Sequence, residues 1–142
     1  MNTTSLTVPT ASSRQSRVRT RLAGVAGAVA AASGVWALAV VVLDVDLQVS
    51  PGGEPQRVGL GMVIGASLLA CMLGWALLAG LERRTRRART VWVAVAAVVL
   101  LASLAAPVTA AATPAAAITL IVLHLVVGAV LVPVLHHSSP TT

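Results

Sequence analysis

His124 is the polar residue in this chain that is best placed to take part in chemistry, because it stands near the middle of a long apolar segment, residues 115–135. An imidazole at that depth in a bilayer is costly and faces protein or a water-filled cavity. Ser67, Ser103 and Thr119 occur in apolar segments and offer hydrogen-bond partners. We interpret His124 either as a neutral packing residue bonded to one of these hydroxyls or as a proton-sensitive or ligand-binding group. His124, Ser103 and Ser67 form the candidate intramembrane polar site.

The remaining histidines do not complete a metal or haem site with it. His136 and His137 follow His124 by 12 and 13 residues, which is about 18 Å along a helix. One chain therefore cannot hold a haem iron between His124 and either of them, and a haem would require a symmetric dimer. The single cysteine, Cys71, has no partner for an intrachain disulfide.

Acidic residues also lack a recognisable catalytic pattern. Asp44, Asp46 and Glu54 share one connecting segment, but their spacing does not match a calcium-binding loop. The apolar segments contain no Asp or Glu, which argues against a carboxylate-driven proton antiporter. Phosphate-binding loops, nucleophile elbows and metalloprotease motifs are missing from the sequence. We therefore expect no catalytic residues, no metal, no cofactor and no enzymatic activity.

A basic segment separates the second apolar segment from the third. It carries five arginines and one carboxylate, Glu82, for a net charge of 5 − 1 = +4. Arginines beside apolar segments attract anionic lipid headgroups, so the chain's net charge of +6 does not indicate a nucleic-acid partner. Glu82 and Arg86 also have the i, i+4 spacing of a helical ion pair. The predicted lipid-facing basic hairpin consists of Arg83, Arg84, Arg86, Arg87 and Arg89.

Four apolar segments must position these side chains. The chain is 57% hydrophobic and 10% charged, whereas soluble domains are about 45 to 50% apolar and about 25% charged. About 20 apolar residues cross a membrane as a helix. The four predicted spans are residues 22–43, 58–81, 91–111 and 115–135. The sequence therefore predicts an all-α, integral membrane four-helix bundle with antiparallel, up-down-up-down order.

Terminal and connecting segments complete this domain organisation. Residues 1–20 are predicted to form a disordered basic cytoplasmic tail, and residues 136–142 a short cytoplasmic tail. A cleaved signal peptide is the alternative for the first span, although its apolar run is longer than a signal peptide needs. Span three either ends at Pro107 or continues with a kink. Thr113 and Pro114 have the pattern of a helix N-cap followed by proline at the first helical position.

Packing signals accompany these spans. The segment 44–49 alternates polar and apolar residues and could form a short strand against the mouth of the bundle. Small residues recur at intervals of four, which allows close helix contact. They are Gly24, Ala28 and Ala32 in span one, and Gly61 and Gly65 in span two. They serve either ordinary packing within the bundle or a dedicated dimer face. Trp92, at the start of span three, is typical of an interfacial aromatic belt.

The distribution of charge predicts the orientation. Four arginines precede span one, and the basic hairpin follows span two. The connection after span one has three carboxylates and one arginine, a net of 1 − 3 = −2. Under the positive-inside rule, both termini and the hairpin are cytoplasmic. All ten basic residues are arginine, a bias that indicates GC-rich codons, and we expect a location in a bacterial cytoplasmic membrane.

These segments resemble a family of small four-span membrane proteins from high-GC Gram-positive bacteria that is catalogued as a domain of unknown function. The resemblance covers roughly residues 22–133. It depends on Val58-Gly59-Leu60-Gly61, Gly74-Trp75-Ala76-Leu77-Leu78-Ala79, Leu81-Glu82-Arg83-Arg84, Ala88-Arg89-Thr90-Val91-Trp92 and His124-Leu125. It implies a four-span fold and no activity, cofactor or site.

The spans contain small residues that allow helices to pack closely and few residues suited to catalysis, which favours a structural or accessory membrane subunit. Its expected partners are anionic lipids and either a second copy of the chain or another membrane protein. The alternative is a small-solute permeation protein that works as a homo-oligomer, with His124 and the hydroxyl residues along its path. A continuous polar stripe on facing helices would favour that alternative, and the sequence shows isolated polar residues.

Overall fold

A computed structural model, which describes residues 11–50 and 52–138, shows helices joined by short connections. The helices are α1 (Ala11–Ala37), extended by a π-helical turn (Leu38–Val42), α2 (Leu60–Arg84), α3 (Ala88–Ser103), α4 (Ala105–Ala110) and α5 (Pro114–Ser138). Two short strands, β1 (Gln48–Val49) and β2 (Gln56–Arg57), lie between α1 and α2.

Within the described residues, four helical segments are long and apolar enough to cross a membrane. They are Val18–Val42, Leu60–Arg84, Ala88–Ala110 and Pro114–Val134. The segments pack in a ring in which α1 and α3 each lie beside both α2 and α5. Contacts between α1 and α5 join Gly24 to Val134 and Gly27 to Val130, so these helices run antiparallel. The predicted all-α, four-span architecture is confirmed.

Helix α1 begins at Ala11, within the segment that the sequence predicted to be disordered. Residues 11–20 are helical because they extend an existing helix, and extension avoids the cost of nucleation. Predictions for residues 1–10 and 139–142 lie outside the described part of the chain. The π-helical turn that extends α1 ends at Val42, and Asp44, two residues later, has a left-handed φ of 51°, a conformation that commonly terminates helices.

Span three continues past Pro107 with a break in its helix. Proline has no N–H and cannot bond the carbonyl of Ser103. The N–H of Leu104 is shared between the carbonyls of Leu100 and Leu101, each at 3.2 Å. Helix α3 therefore ends at Ser103, and α4 completes the span as far as Ala110. Of the two possibilities left open by the sequence, the structure shows the broken continuation.

The start of α5 matches the predicted capping pattern. The hydroxyl Oγ1 of Thr113 accepts a hydrogen bond from the N–H of Ala116 at 3.1 Å, and Pro114 is the first helical residue. A threonine at this position satisfies one of the N–H groups that the first turn leaves without a helical acceptor. The prediction of an N-cap at Thr113 is confirmed.

The connection between α1 and α2 folds against the end of the bundle. Strands β1 and β2 pair antiparallel, with Gln48 opposite Arg57, and Val49 forms a bridge with Ala111 beyond α4. Gly52 and Gly53 supply the positive φ angles of 87° and 101° that the turn requires. The strand predicted within residues 44–49 thus forms only at the end of that segment.

Buried side chains form three clusters along the bundle. The first cluster, beside the β-strands, contains Ala32, Leu47, Val58, Val63, Ala116, Leu120 and Leu123. The second contains Val25, Ala28 and Cys71, and the third contains Leu78 and Trp92. Because Ala28 and Ala32 are buried in the first two clusters, the small residues of α1 serve packing within the bundle.

Trp92 and Trp36 each donate a hydrogen bond that connects their helix to the backbone of another segment. Trp92 is 2% exposed and donates its indole N–H to the carbonyl of Gly74 at 2.9 Å. Trp92 was interpreted as a residue of an interfacial aromatic belt, but its ring is buried against α2, where it finds a hydrogen-bond acceptor. Trp36 donates in the same way to the carbonyl of Val58 at 2.8 Å, which ties α1 to the segment that precedes α2.

Candidate functional site

The imidazole of His124 bonds to its own helix. Its Nδ1 lies 2.7 Å from the carbonyl oxygen of Leu120, one turn earlier in α5. A carbonyl oxygen can only accept, so Nδ1 carries the hydrogen of this bond. Within the described residues, no hydrogen bond joins His124 to Ser67, Ser103 or Thr119, and the predicted partners are wrong.

Hydroxyl groups in the spans follow the same local pattern. Ser103 donates to the carbonyl of Leu100 at 2.7 Å, and Thr119 donates to that of Ala115 at 2.9 Å. Ser67 is buried on the inner face of α2. Serine and threonine in helices often bond a carbonyl three or four residues earlier, a local signal that the sequence interpretation did not use. The candidate polar site is therefore a set of separate residues, of which His124 and Ser103 each bond a carbonyl of their own helix.

Gly128 explains how α3 reaches α5 beside His124. A Cβ atom at Gly128 would stand 3.0 Å from Cδ2 of Leu100, closer than ordinary van der Waals contact. The absence of a side chain at this position lets α3 pack closely one turn after His124.

An ion pair joins α1 to α2 at the end of the bundle that holds the basic hairpin. Nη2 of Arg21 lies 2.9 Å from Oε1 of Glu82, and Arg21 is only 7% exposed. The expected helical pairing of Glu82 with Arg86 does not form, because α2 ends at Arg84. The two partners are 61 positions apart in the sequence, which explains why local spacing did not reveal their contact.

The basic hairpin is a tight connection between two helices. Thr85 is extended, and its hydroxyl accepts a hydrogen bond from the N–H of Arg87 at 3.2 Å. Four of the predicted arginines are exposed, whereas Arg89 is partly buried. The exposed residues are Arg83, Arg84, Arg86 and Arg87.

Arg89 lines an open groove on α3 together with Thr90, Val93 and Ala94. The groove has a volume of about 400 Å³. Among the described residues, no group of three His, Cys, Asp or Glu side chains is placed to hold a metal ion. The arrangement therefore offers cationic binding surface at one end of the bundle and isolated, bonded polar groups within it.

Four membrane-compatible helices define a multi-pass integral membrane protein. Residues 12–141 match the family described as "Family of unknown function (DUF6069)", and the chain belongs to that family. The resemblance to a domain of unknown function is confirmed. No curated protein and no solved structure matches the chain.

Proposed function

We propose that this chain is a non-enzymatic structural or accessory subunit of the bacterial cytoplasmic membrane. The observation that carries this proposal is the local bonding of the polar side chains in the spans. His124, Ser103 and Thr119 each bond a carbonyl of their own helix. Side chains bonded in this way have a hydrogen-bond partner without a substrate or an ion, and their main contribution is to packing.

The distribution of charge supports the proposed orientation. The ion pair of Arg21 with Glu82 places the N-terminal flank and the basic hairpin at the same end of the bundle. Asp44, Asp46 and Glu54 belong to the connection at the opposite end, where Val49 pairs with Ala111. Basic residues are enriched on the cytoplasmic side of membrane proteins, so both termini are proposed to be cytoplasmic.

Affinity purification from the native membrane tests the subunit role. The tagged chain is extracted into lipid discs, and the protein that copurifies is then tagged in turn. A subunit predicts recovery of both proteins at the same fixed ratio from either tag. It also predicts that deletion of the gene lowers the amount or activity of the partner. Recovery of a homo-oligomer alone, with no effect of deletion on another membrane protein, would contradict the proposal.

A His124 variant distinguishes the accessory role from small-solute permeation by a homo-oligomer. In the accessory role, His124→Leu restores the partner in the deletion strain as well as the original chain does. If His124 lines a permeation path, purified chain in vesicles conducts a solute and His124→Leu changes that flux. Flux that depends on His124 would overturn the accessory role in favour of permeation.

A further inference from the structure

Helix α2 has a second face that could contact another helix. Its inner face carries the buried residues Val63, Ser67, Cys71 and Leu78. On the second face, residues recur at alternating intervals of four and three, which is the spacing at which one helix packs along another in a membrane. This second face, called the open face of α2, consists of Gly61, Gly65, Leu68, Met72, Trp75 and Ala79.

The glycines of the open face have no packing partner. None of the described residues comes within 4 Å of a Cβ atom placed at Gly61 or Gly65, whereas a Cβ atom at Gly24 would meet a side chain of α5. Leu68 and Met72, further along the same face, are each 41% exposed. Because glycine lets two backbones approach closely, this part of α2 has room for a helix that the described chain does not supply.

Trp75 adds a hydrogen-bond donor to the open face. Trp36 and Trp92 each donate the indole N–H to a backbone carbonyl of a neighbouring segment. Among the described residues, none accepts a hydrogen bond from the indole of Trp75, which is only partly buried. Trp75 precedes Arg84, the end of α2, by nine residues, or about 14 Å. Lipid hydrocarbon at that depth offers no acceptor, so the indole N–H favours contact with another polypeptide.

Arg83 extends the open face to the membrane surface. It lies one turn beyond Ala79 and is exposed, and no ion pair joins it to a carboxylate of the described residues. Glu82 is paired with Arg21, and the other carboxylate side chains belong to the connection at the opposite end. A second copy in the same orientation would bring its own hairpin arginines to this level, where like charges repel. Charge complementarity therefore favours an occupant that carries a carboxylate beside the hairpin.

We propose that the open face of α2 binds one transmembrane helix of the partner subunit. That helix has small residues opposite Gly61 and Gly65, a backbone carbonyl that accepts the hydrogen bond of Trp75, and a carboxylate that pairs with Arg83. Close backbone contact and interhelical hydrogen bonds hold membrane helices together where no hydrophobic driving force acts between them. The inference rests on the proposed accessory role, and it names the contact surface and the chemistry of the partner.

Photo-crosslinking in the native membrane locates the contact. A photoreactive residue replaces Leu68 or Met72 on the open face, and it replaces Ile118 or Val122 as exposed control positions on α5. Mass spectrometry compares each adduct with the partner that reciprocal purification recovers. We expect adducts of that partner from the α2 positions alone. The crosslinked segment is expected to be a transmembrane helix with Asp or Glu at the end beside the hairpin.

Substitutions on the open face measure its contribution to the affinity for the purified partner in lipid discs. Gly65→Leu fills the space for the partner helix, and we expect it to lower the affinity about tenfold. Gly34→Leu is the matched control, because Gly34 is also exposed and has no described residue within 4 Å of its Cβ position, but it lies on α1. Trp75→Phe keeps an aromatic ring and removes the N–H, and we expect a loss of about threefold. Thermal unfolding of each variant verifies that the bundle is intact.

A charge exchange tests the ion pair. We expect Arg83→Glu to lower the affinity about fivefold and the reverse exchange, carboxylate to arginine in the partner helix, to restore it. Arg84→Glu is the control, because Arg84 is exposed on another side of α2. We expect it to lower the affinity at most about twofold, with no recovery when the partner carries the exchanged charge.

Three results would overturn the proposal. Partner adducts from the α5 positions, with equal affinities for Gly65→Leu and Gly34→Leu, would place the contact elsewhere and leave the accessory role intact. Adducts of the chain with itself at Leu68 and Met72 would show that a second copy occupies the open face. Absence of any protein adduct at these two positions would show that lipid covers the face. If purification also recovers no partner, the accessory role fails together with this inference.

Discussion

The guanidinium of Arg21 and the carboxylate of Glu82 meet at 2.9 Å between α1 and α2. Arg21 is almost fully buried, while about a quarter of the Glu82 side chain is exposed. The contact fixes the beginning of span one against the end of span two, next to the basic hairpin. A charge buried to this extent is costly without an opposite charge, so the position of Glu82 constrains how the two helices pack.

Glu82→Gln is expected to destabilise the bundle by about 2 kcal/mol. Loss of one partner from a fully buried pair costs about 3 to 5 kcal/mol, and the partial exposure of Glu82 reduces that figure. Unfolding of the purified chain in a mild detergent, followed by circular dichroism, measures the change. Glu54→Gln is the matched control, because Glu54 is exposed in the loop between β1 and β2. Equal stability of the two variants would contradict a structural role for the pair.

Gly24→Ala is expected to lower stability by about 1 to 3 kcal/mol, the usual cost of overpacking. The added Cβ would overlap Cγ1 of Val134 and would lie 3.0 Å from its Cβ. Valine has few alternative rotamers in a helix, so α1 and α5 must separate.

Gly61→Ala is the control for this substitution. Nothing lies within 4 Å of a Cβ at Gly61, and alanine favours a helix by about 1 kcal/mol over glycine. The same detergent unfolding measurement should therefore show opposite signs for the two variants. A stabilised Gly24→Ala variant would show that α1 and α5 do not pack as closely as the structure indicates.

Thr113→Ala is expected to cost about 1 kcal/mol through loss of the N-cap of α5. The threonine hydroxyl is the acceptor for the N–H of Ala116. Thr109→Ala is the control, because the Thr109 hydroxyl donates to the carbonyl of Ala105 within α4 and alanine has the higher helix propensity. Hydrogen exchange at the first turn of α5 should increase in Thr113→Ala alone, and unchanged exchange in that variant would contradict the cap.

The features that the sequence predicted well are the local ones. Span lengths follow from runs of apolar residues, and the start of α5 follows from the adjacent Thr113 and Pro114. The pairing of Arg21 with Glu82 and of Trp92 with Gly74 depends on how helices pack in three dimensions. Residue spacing does not encode such contacts.

Residue spacing also failed to predict the hydrogen-bond partner of His124. The sequence placed His124 near the middle of a span but predicted hydroxyl partners, two of them in other helices, whereas the ring bonds a backbone carbonyl of its own helix. The sequence also did not predict the groove at Arg89. Nothing in the sequence distinguishes the five arginines of the basic hairpin, and only the fold shows that Arg89 is partly buried.

His124→Leu is expected to change the free energy of unfolding by less than about 1 kcal/mol, since side-chain hydrogen bonds inside membranes contribute about 0.6 kcal/mol on average. The carbonyl of Leu120 retains the backbone N–H of the helix as a donor when the imidazole is removed. Solid-state ¹⁵N NMR of the original chain in bilayers should show a protonated Nδ1, as the 2.7 Å contact with Leu120 requires. A protonated Nε2 with a bare Nδ1, or a loss above about 2 kcal/mol in His124→Leu, would mean that the ring bonds another helix. Such a result would remove the observation on which the accessory role depends, because the polar side chains of the spans would then act between helices.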